Sequence, residues 1–185
     1  MAEYYLVSQL PSLDGVGEET VPPITEERFL ELCGRFLGKK AQGELQKITL
    51  LPPRDGVVSA SAVLRAWHEG ERSLRLALAK VRAGKMKKPF EEEEQAPSPA
   101  LLKTAEAAAE MEDPLKAEQL LHRYRLDFLE SLRPMDSFSE EFVYYYGLKL
   151  KLLFYIRRFN AAAGEAAYKN IYGSILNGDR LEVES

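Results

Sequence analysis

Between Phe142 and Phe159 the chain reads FVYYYGLKLKLLFYIRRF, and this stretch constrains the fold more than any other. At about 100° of turn per residue, its apolar side chains cover most of the circumference of a helix, so such a helix must be contacted on several sides. Its cations, Lys149, Lys151, Arg157 and Arg158, fall at scattered angles and form no single basic face. They interrupt the apolar sequence well short of the ~20 residues that span a bilayer. The aromatic residues could stack on nucleobases, but that mode needs cations tracking along one groove. The segment therefore predicts the central helix of a bundle, its lysines carrying their stems along apolar surface and their ammonium groups to the edge. Arg157 and Arg158 stand near the predicted helix end, where they complement the dipole, and they are the candidate partner-contact residues.

The fold class expected is all-α: an elongated helical bundle with a short N-terminal extended or β segment at EYYLVSQL, residues 3–10. Proline and glycine make 11–24 a loop. Thr25 caps a helix with Glu26 and Glu27 in its first turn and Phe29, Leu32, Cys33, Phe36 and Leu37 as its apolar stripe. A short helix is expected over 40–50 and a turn at PPRDG. Ser59 or Ser61 caps a helix running to about Ala83, with Val63, Trp67, Leu74, Leu78 and Val81 inward and Glu71 four residues before Arg75. Ser98-Pro99 and Asp113-Pro114 each combine a cap with proline at the first helical position, starting helices to Met111 and to Leu132. On the second of these, Ala117, Leu121, Tyr124, Phe128 and Leu132 form one face and Lys116, Gln119, Arg123, Asp127 and Glu130 the other, with Arg123 placed to pair with Asp127. Ser137 or Ser139 starts the long apolar helix, which is expected to reach about Ala163 with Gly164 as its C-cap. A last helix covers about 165–176, ended by NGD.

The chain reads as one helical domain over 1–185, or a piece of a longer chain. Residues 84–98 act as a charged Pro/Glu loop or hinge between helical subdomains 25–83 and 99–177. This region switches from the basic KVRAGKMKK to the acidic EEEE, a composition that cannot build a packed core and suits solvation or, less simply, partner docking.

The 185 residues carry a net charge of −4, which argues against nucleic-acid binding through bulk charge. The lone cysteine, Cys33, excludes an intrachain disulfide and reads as core packing. There is no phosphate loop, dinucleotide fingerprint or metal-spaced Cys/His cluster, and His68 and His122 read as surface or boundary residues. The expectation is accordingly no enzyme, no catalytic residue, no cofactor, no metal, no small-molecule substrate and no transmembrane segment.

Two stretches resemble a known family. DPLKAEQLLHRYRLDFLESL, with Glu118, Leu121 and Tyr124, is similar to a helix of the C-subunits of V/A-type ATPases (subunit d in eukaryotes). YYYGLKLKLLFYIRRFNAAAG resembles the long helix that follows it there, ending in basic residues before a glycine. The start, YYLVSQLPSL, is similar to that of an uncharacterised bacterial family encoded beside V-type ATPase subunits, which looks like a divergent C-subunit. The resemblance covers residues 1–13 and 113–164. It implies a C-subunit-like helical architecture and a non-catalytic socket between the soluble rotor stalk and the membrane proteolipid ring. The partners it implies are those ATPase subunits, and the location is cytoplasmic or peripheral on the inner face of the membrane. The competing expectation is a free-standing helical adaptor or assembly factor.

Overall fold

The structure, a computed structural model, describes residues 2–17, 20–53, 59–90, 97–159, 168, 169, 171 and 172. Among the described residues there are seven α-helices and no strand: α1 (Ala2–Val7), α2 (Glu26–Phe36), α3 (Lys39–Leu45), α4 (Ala62–Lys85), α5 (Pro99–Glu110), α6 (Pro114–Ser131) and α7 (Glu140–Ile156). A 3-10 turn, Arg157–Phe159, follows α7. None of these helices is long and apolar enough to cross a membrane.

The helix starts obey local chemistry. The side chains of Thr25, Ser61, Ser98, Asp113 and Ser139 each accept a hydrogen bond from a backbone N–H of the helix they precede. Pro99 and Pro114 stand in first turns, where a missing N–H costs nothing. Of the two candidate pairs of serines, Ser61 and Ser139 are the caps. Ser59 instead donates to the Glu44 carboxylate at 2.5 Å.

The all-round apolar character of α7 has the expected outcome. Every residue from Phe142 to Leu153 except Lys151 is buried, under α1, α2, α3, α4 and α6. The main core gathers Phe29, Leu32 and Cys33 of α2, Trp67 of α4 and Leu129 of α6 around it. Burial pushes the Cys33 thiol up to about 12, so it packs as a small apolar group. A second cluster joins Leu74 and Ala77 of α4 to Leu101, Ala105 and Ala108 of α5 and Leu121 of α6. Helix α4 thus serves both clusters. It runs on to Lys85, whose ammonium donates to the Ala109 carbonyl of α5. The helices before and after the 84–98 stretch therefore pack on one another; residues 91–96, including EEEE, lie outside the described residues.

Two glycines mark where helices come closest. A Cβ on Gly70 of α4 would lie 2.3 Å from the Phe128 ring of α6, and one on Gly147 of α7 would lie 2.8 Å from the Phe29 ring of α2. Here the absent side chain outweighs the poor helix propensity of glycine.

Several expectations need correction. Residues 3–10 are no strand; most of them form α1 and the turn after it. Tyr4, Tyr5 and Val7 favour a pleated surface, but a strand needs a partner edge and no described segment offers one. Helical spacing instead sends Leu6, fully buried, and Val7 and Leu10, partly buried, into the main core. Both histidines are buried rather than at the surface, because α4 and α6 are packed on more than one side. Arg123 and Asp127 form no ion pair among the described residues; the neighbouring Arg125 makes the stronger contact, with Glu71. Helix α7 stops at Ile156, short of Ala163, and tightens into the 3-10 turn. Ala163, Gly164, NGD and most of PPRDG lie outside the described residues. Of the expected last helix only Tyr168, Lys169, Ile171 and Tyr172 are described, and they are helical.

Candidate functional site

The two arginines singled out by sequence sit in the turn that ends α7. Arg157 is half-buried, whereas Arg158 is exposed at the rim of a cavity of about 580 Å³. Elements far apart in sequence build this cavity. Helix α2 contributes Glu26, the segment after α3 contributes Ile48–Leu51, α4 contributes Trp67, Glu71 and Arg75, and α6 contributes Arg125. The end of α7 and its turn contribute Lys151, Leu152, Phe154, Tyr155 and Arg158.

At its inner side lies a buried charge cluster. Glu71 is only 3% exposed at its side chain and takes Arg125 in a two-pronged grip, Nε to Oε2 at 2.9 Å and Nη2 to Oε1 at 3.0 Å. Its Oε1 also accepts from Arg75 Nε at 3.1 Å. Fork-on-carboxylate geometry is the strong, directional form of an ion pair. Burial works against the Arg125 charge, but the hydrogen bonds and charge of Glu71 outweigh it and hold the guanidinium firmly protonated. The remaining Arg125 nitrogen, Nη1, is buried with no hydrogen-bond partner among the described residues.

At the outer side Lys151 reaches Glu26 at 3.1 Å. Both cavity carboxylates are therefore engaged by cations of the cavity itself, while Arg158 has no ion pair among the described residues. The lining comprises four cations, Arg75, Arg125, Lys151 and Arg158, against Glu26 and Glu71. Apart from Thr49, whose hydroxyl donates to the Leu51 carbonyl, the rest of the wall is apolar or aromatic. Trp67, the sole tryptophan, packs there with its indole N–H on the Leu50 carbonyl at 3.3 Å.

A second charged constellation lies where the residues after α1 meet α6 and α7. Lys149 is buried and pairs with Glu130 and, at 3.3 Å, with Asp14, which also meets Arg133 at 3.3 Å. The Tyr146 hydroxyl donates to the Pro11 carbonyl at 2.8 Å. Lys149 thus does not simply reach for solvent; its ammonium is held by carboxylates from two other segments. Nearby in sequence, Tyr4, Tyr5 and Phe138 form an exposed aromatic group, with Tyr4 and Phe138 ring centres 4.8 Å apart.

Among the described residues neither histidine meets a carboxylate or nucleophile in a proton-transfer geometry. His68 Nε2 lies 3.2 Å from the Thr49 carbonyl, and burial lowers its pKa. His122 is fully buried with neither ring nitrogen hydrogen-bonded; Nε2 lies 3.8 Å from the Glu118 carboxylate, and the ring is edge-on to Tyr155 and Phe159. No group of three or more His, Cys, Asp or Glu among the described residues is placed to hold a metal ion.

Sequence reasoning names Arg157 and Arg158, of which Arg158 lines the cavity, but it misses Arg125 and the cavity. The Glu71–Arg75 spacing was the one available signal, because it placed a carboxylate on the inward side of α4. Nothing local announces that Arg125, 54 positions later, completes the cluster. Comparison with known protein-family models, curated proteins and solved structures returns no match for this chain.

Proposed function

We propose that this chain is a non-catalytic, C-subunit-like component of a V-type ATPase, acting at the cytoplasmic face as a helical connector between the soluble rotor stalk and the proteolipid ring. One observation carries the reading. The segments that resemble the ATPase family, residues 1–13 and 113–164, are a hundred positions apart, yet their described parts pack as one body. Helices α1 and α6 both lie on α7, and the Tyr146 hydroxyl donates to the Pro11 carbonyl. A resemblance confined to unconnected surface helices would carry less weight than one gathered around the central helix. The test is purification of the native ATPase from gently solubilised membranes of a cell that expresses both. Stoichiometric co-elution of this chain supports the role; an intact, active complex without it overturns the role.

A second reading, a free-standing adaptor or assembly factor, draws on the exposed Tyr4, Tyr5 and Phe138 group. Exposed aromatic clusters are common anchors of protein interfaces. Under this reading, Tyr5→Ser with Phe138→Ser abolishes capture of a partner that is not part of the ATPase. Retained capture removes it.

A further inference from the structure

We infer that the cavity beside Arg158 is a binding site for a small amphiphilic anion: a single carboxylate-like head on a hydrocarbon stem. The inference is independent of the ATPase reading and rests on the composition of the cavity alone.

The volume, about 580 Å³, falls in the range of small-molecule sites, which are mostly apolar with a few placed polar groups. The charge is the discriminating feature. Both carboxylates in the wall are already taken, Glu71 by Arg125 and Arg75 and Glu26 by Lys151. Four cations against two carboxylates leave a positive surplus, and Arg158 at the rim carries no carboxylate among the described residues. A neutral apolar ligand would strip water from these cations and return nothing for it. A compact polyanion would satisfy the cations but leave the apolar wall, Leu152 and Phe154 included, uncovered, and two further donors there are already committed, Trp67 Nε1 to Leu50 and Thr49 Oγ1 to Leu51. An anionic head with an apolar stem meets both halves of the wall. Its head pairs with the Arg158 guanidinium, a charge-assisted contact suited to a carboxylate, and its stem covers the apolar floor.

The protein carries its own reporter, since Trp67 is the only tryptophan and lines the cavity. The experiment titrates the full chain with octanoate, with 1-octanol and with inorganic phosphate while following Trp67 fluorescence. A saturable change with octanoate is expected, with 1-octanol binding roughly tenfold more weakly, the size of one lost charge-assisted hydrogen bond. Phosphate alone should leave the signal unchanged. Arg158→Gln, an exposed substitution that leaves the core untouched, should weaken octanoate roughly tenfold and leave 1-octanol unaffected. Octanoate should also raise the melting temperature of the parent chain more than that of the variant. Equal binding of octanoate and octanol, an unchanged octanoate affinity in Arg158→Gln, a phosphate response matching that of octanoate, or no saturable change overturns the inference. None of these outcomes bears on co-elution with the ATPase.

Discussion

Two clusters of buried charge tie α6 to its neighbours, and they are built in opposite ways. Between α4 and α6 the most buried member is an anion, Glu71, gripped by Arg125 and Arg75. Between α6, α7 and the residues after α1 the most buried member is a cation, Lys149, whose side chain is 9% exposed while those of Glu130 and Asp14 are 42% and 60% exposed. In the second cluster each carboxylate can turn to water if the lysine is lost. In the first, Arg125 has no such recourse, because its side chain is itself 12% exposed and one nitrogen is already unpaired. Desolvation thus makes one cluster costly to break and the other cheap.

The largest predicted effect follows directly. Glu71→Ala leaves a buried guanidinium without its carboxylate and should cost about 3–5 kcal/mol in urea unfolding. A loss below about 1 kcal/mol would make the two clusters equivalent and dissolve the contrast.

Next comes Gly70→Ala, one residue away, which tests whether packing rather than charge sets the approach of α4 to α6. The added methyl meets the Phe128 ring, and a destabilisation of about 1–3 kcal/mol is expected from overpacking, larger than the helix-propensity gain. Adding Phe128→Leu should recover part of that loss, and failure to recover any would show that the ring is not the obstacle.

His122→Leu is predicted to stabilise by about 1 kcal/mol, since it removes two buried nitrogens that make no hydrogen bond. It also changes the response to acid. The pKa of His122 is lowered in the folded state, by burial first and by the Arg125 charge second, while Glu118 opposes. The unfolded chain therefore takes up a proton near the ordinary value of 6.5 that the folded chain resists. Stability falls as pH drops below that value, until the folded pKa is reached. The variant should lose less stability than the parent between neutral pH and about pH 5.5, and His68, shifted in the same direction, should account for part of what remains. Parallel curves for variant and parent would rule out His122 as an acid-sensitive group.

The smallest effect is expected at the cluster that looks most conspicuous in sequence. Lys149→Met keeps the stem and removes the charge, and should change stability by no more than about 1 kcal/mol. A loss comparable to that of Glu71→Ala would show that exposure of the carboxylates does not soften a broken pair.

The legible part of this fold is the part governed by near neighbours. Ser61, Ser98, Asp113 and Ser139 announce their helices because a cap acts over two or three residues. The burial of α7 follows from its having no polar face to show to water. Arg158 was visible as a cation at a helix end. The illegible part depends on distant partners. Tyr4 and Tyr5 carry strand propensity, but as a helix the segment buries Leu6 in the main core, against α2 and α7. His122 has charged neighbours in sequence but lies against Tyr155 and Phe159 in space. The cavity exists only once five segments have converged, so no window of sequence could display it.

The first residues of α7 do something to α4 that has a bearing on when the fold can be completed. Glu141 accepts from the Ser61 hydroxyl at 2.7 Å and from the backbone N–H groups of Ala62 and Val63 at 3.1 and 3.0 Å. The donors at the start of α4 are thus satisfied by a residue made about eighty positions later. During synthesis, α4 leaves the ribosome with its opening turn held by Ser61 alone, and α1 to α3 leave without the helix they are shaped to surround. A chain cut before α7 would therefore lack the main core, while the cluster shared by α4, α5 and α6, which uses no residue of α7, would keep all its members.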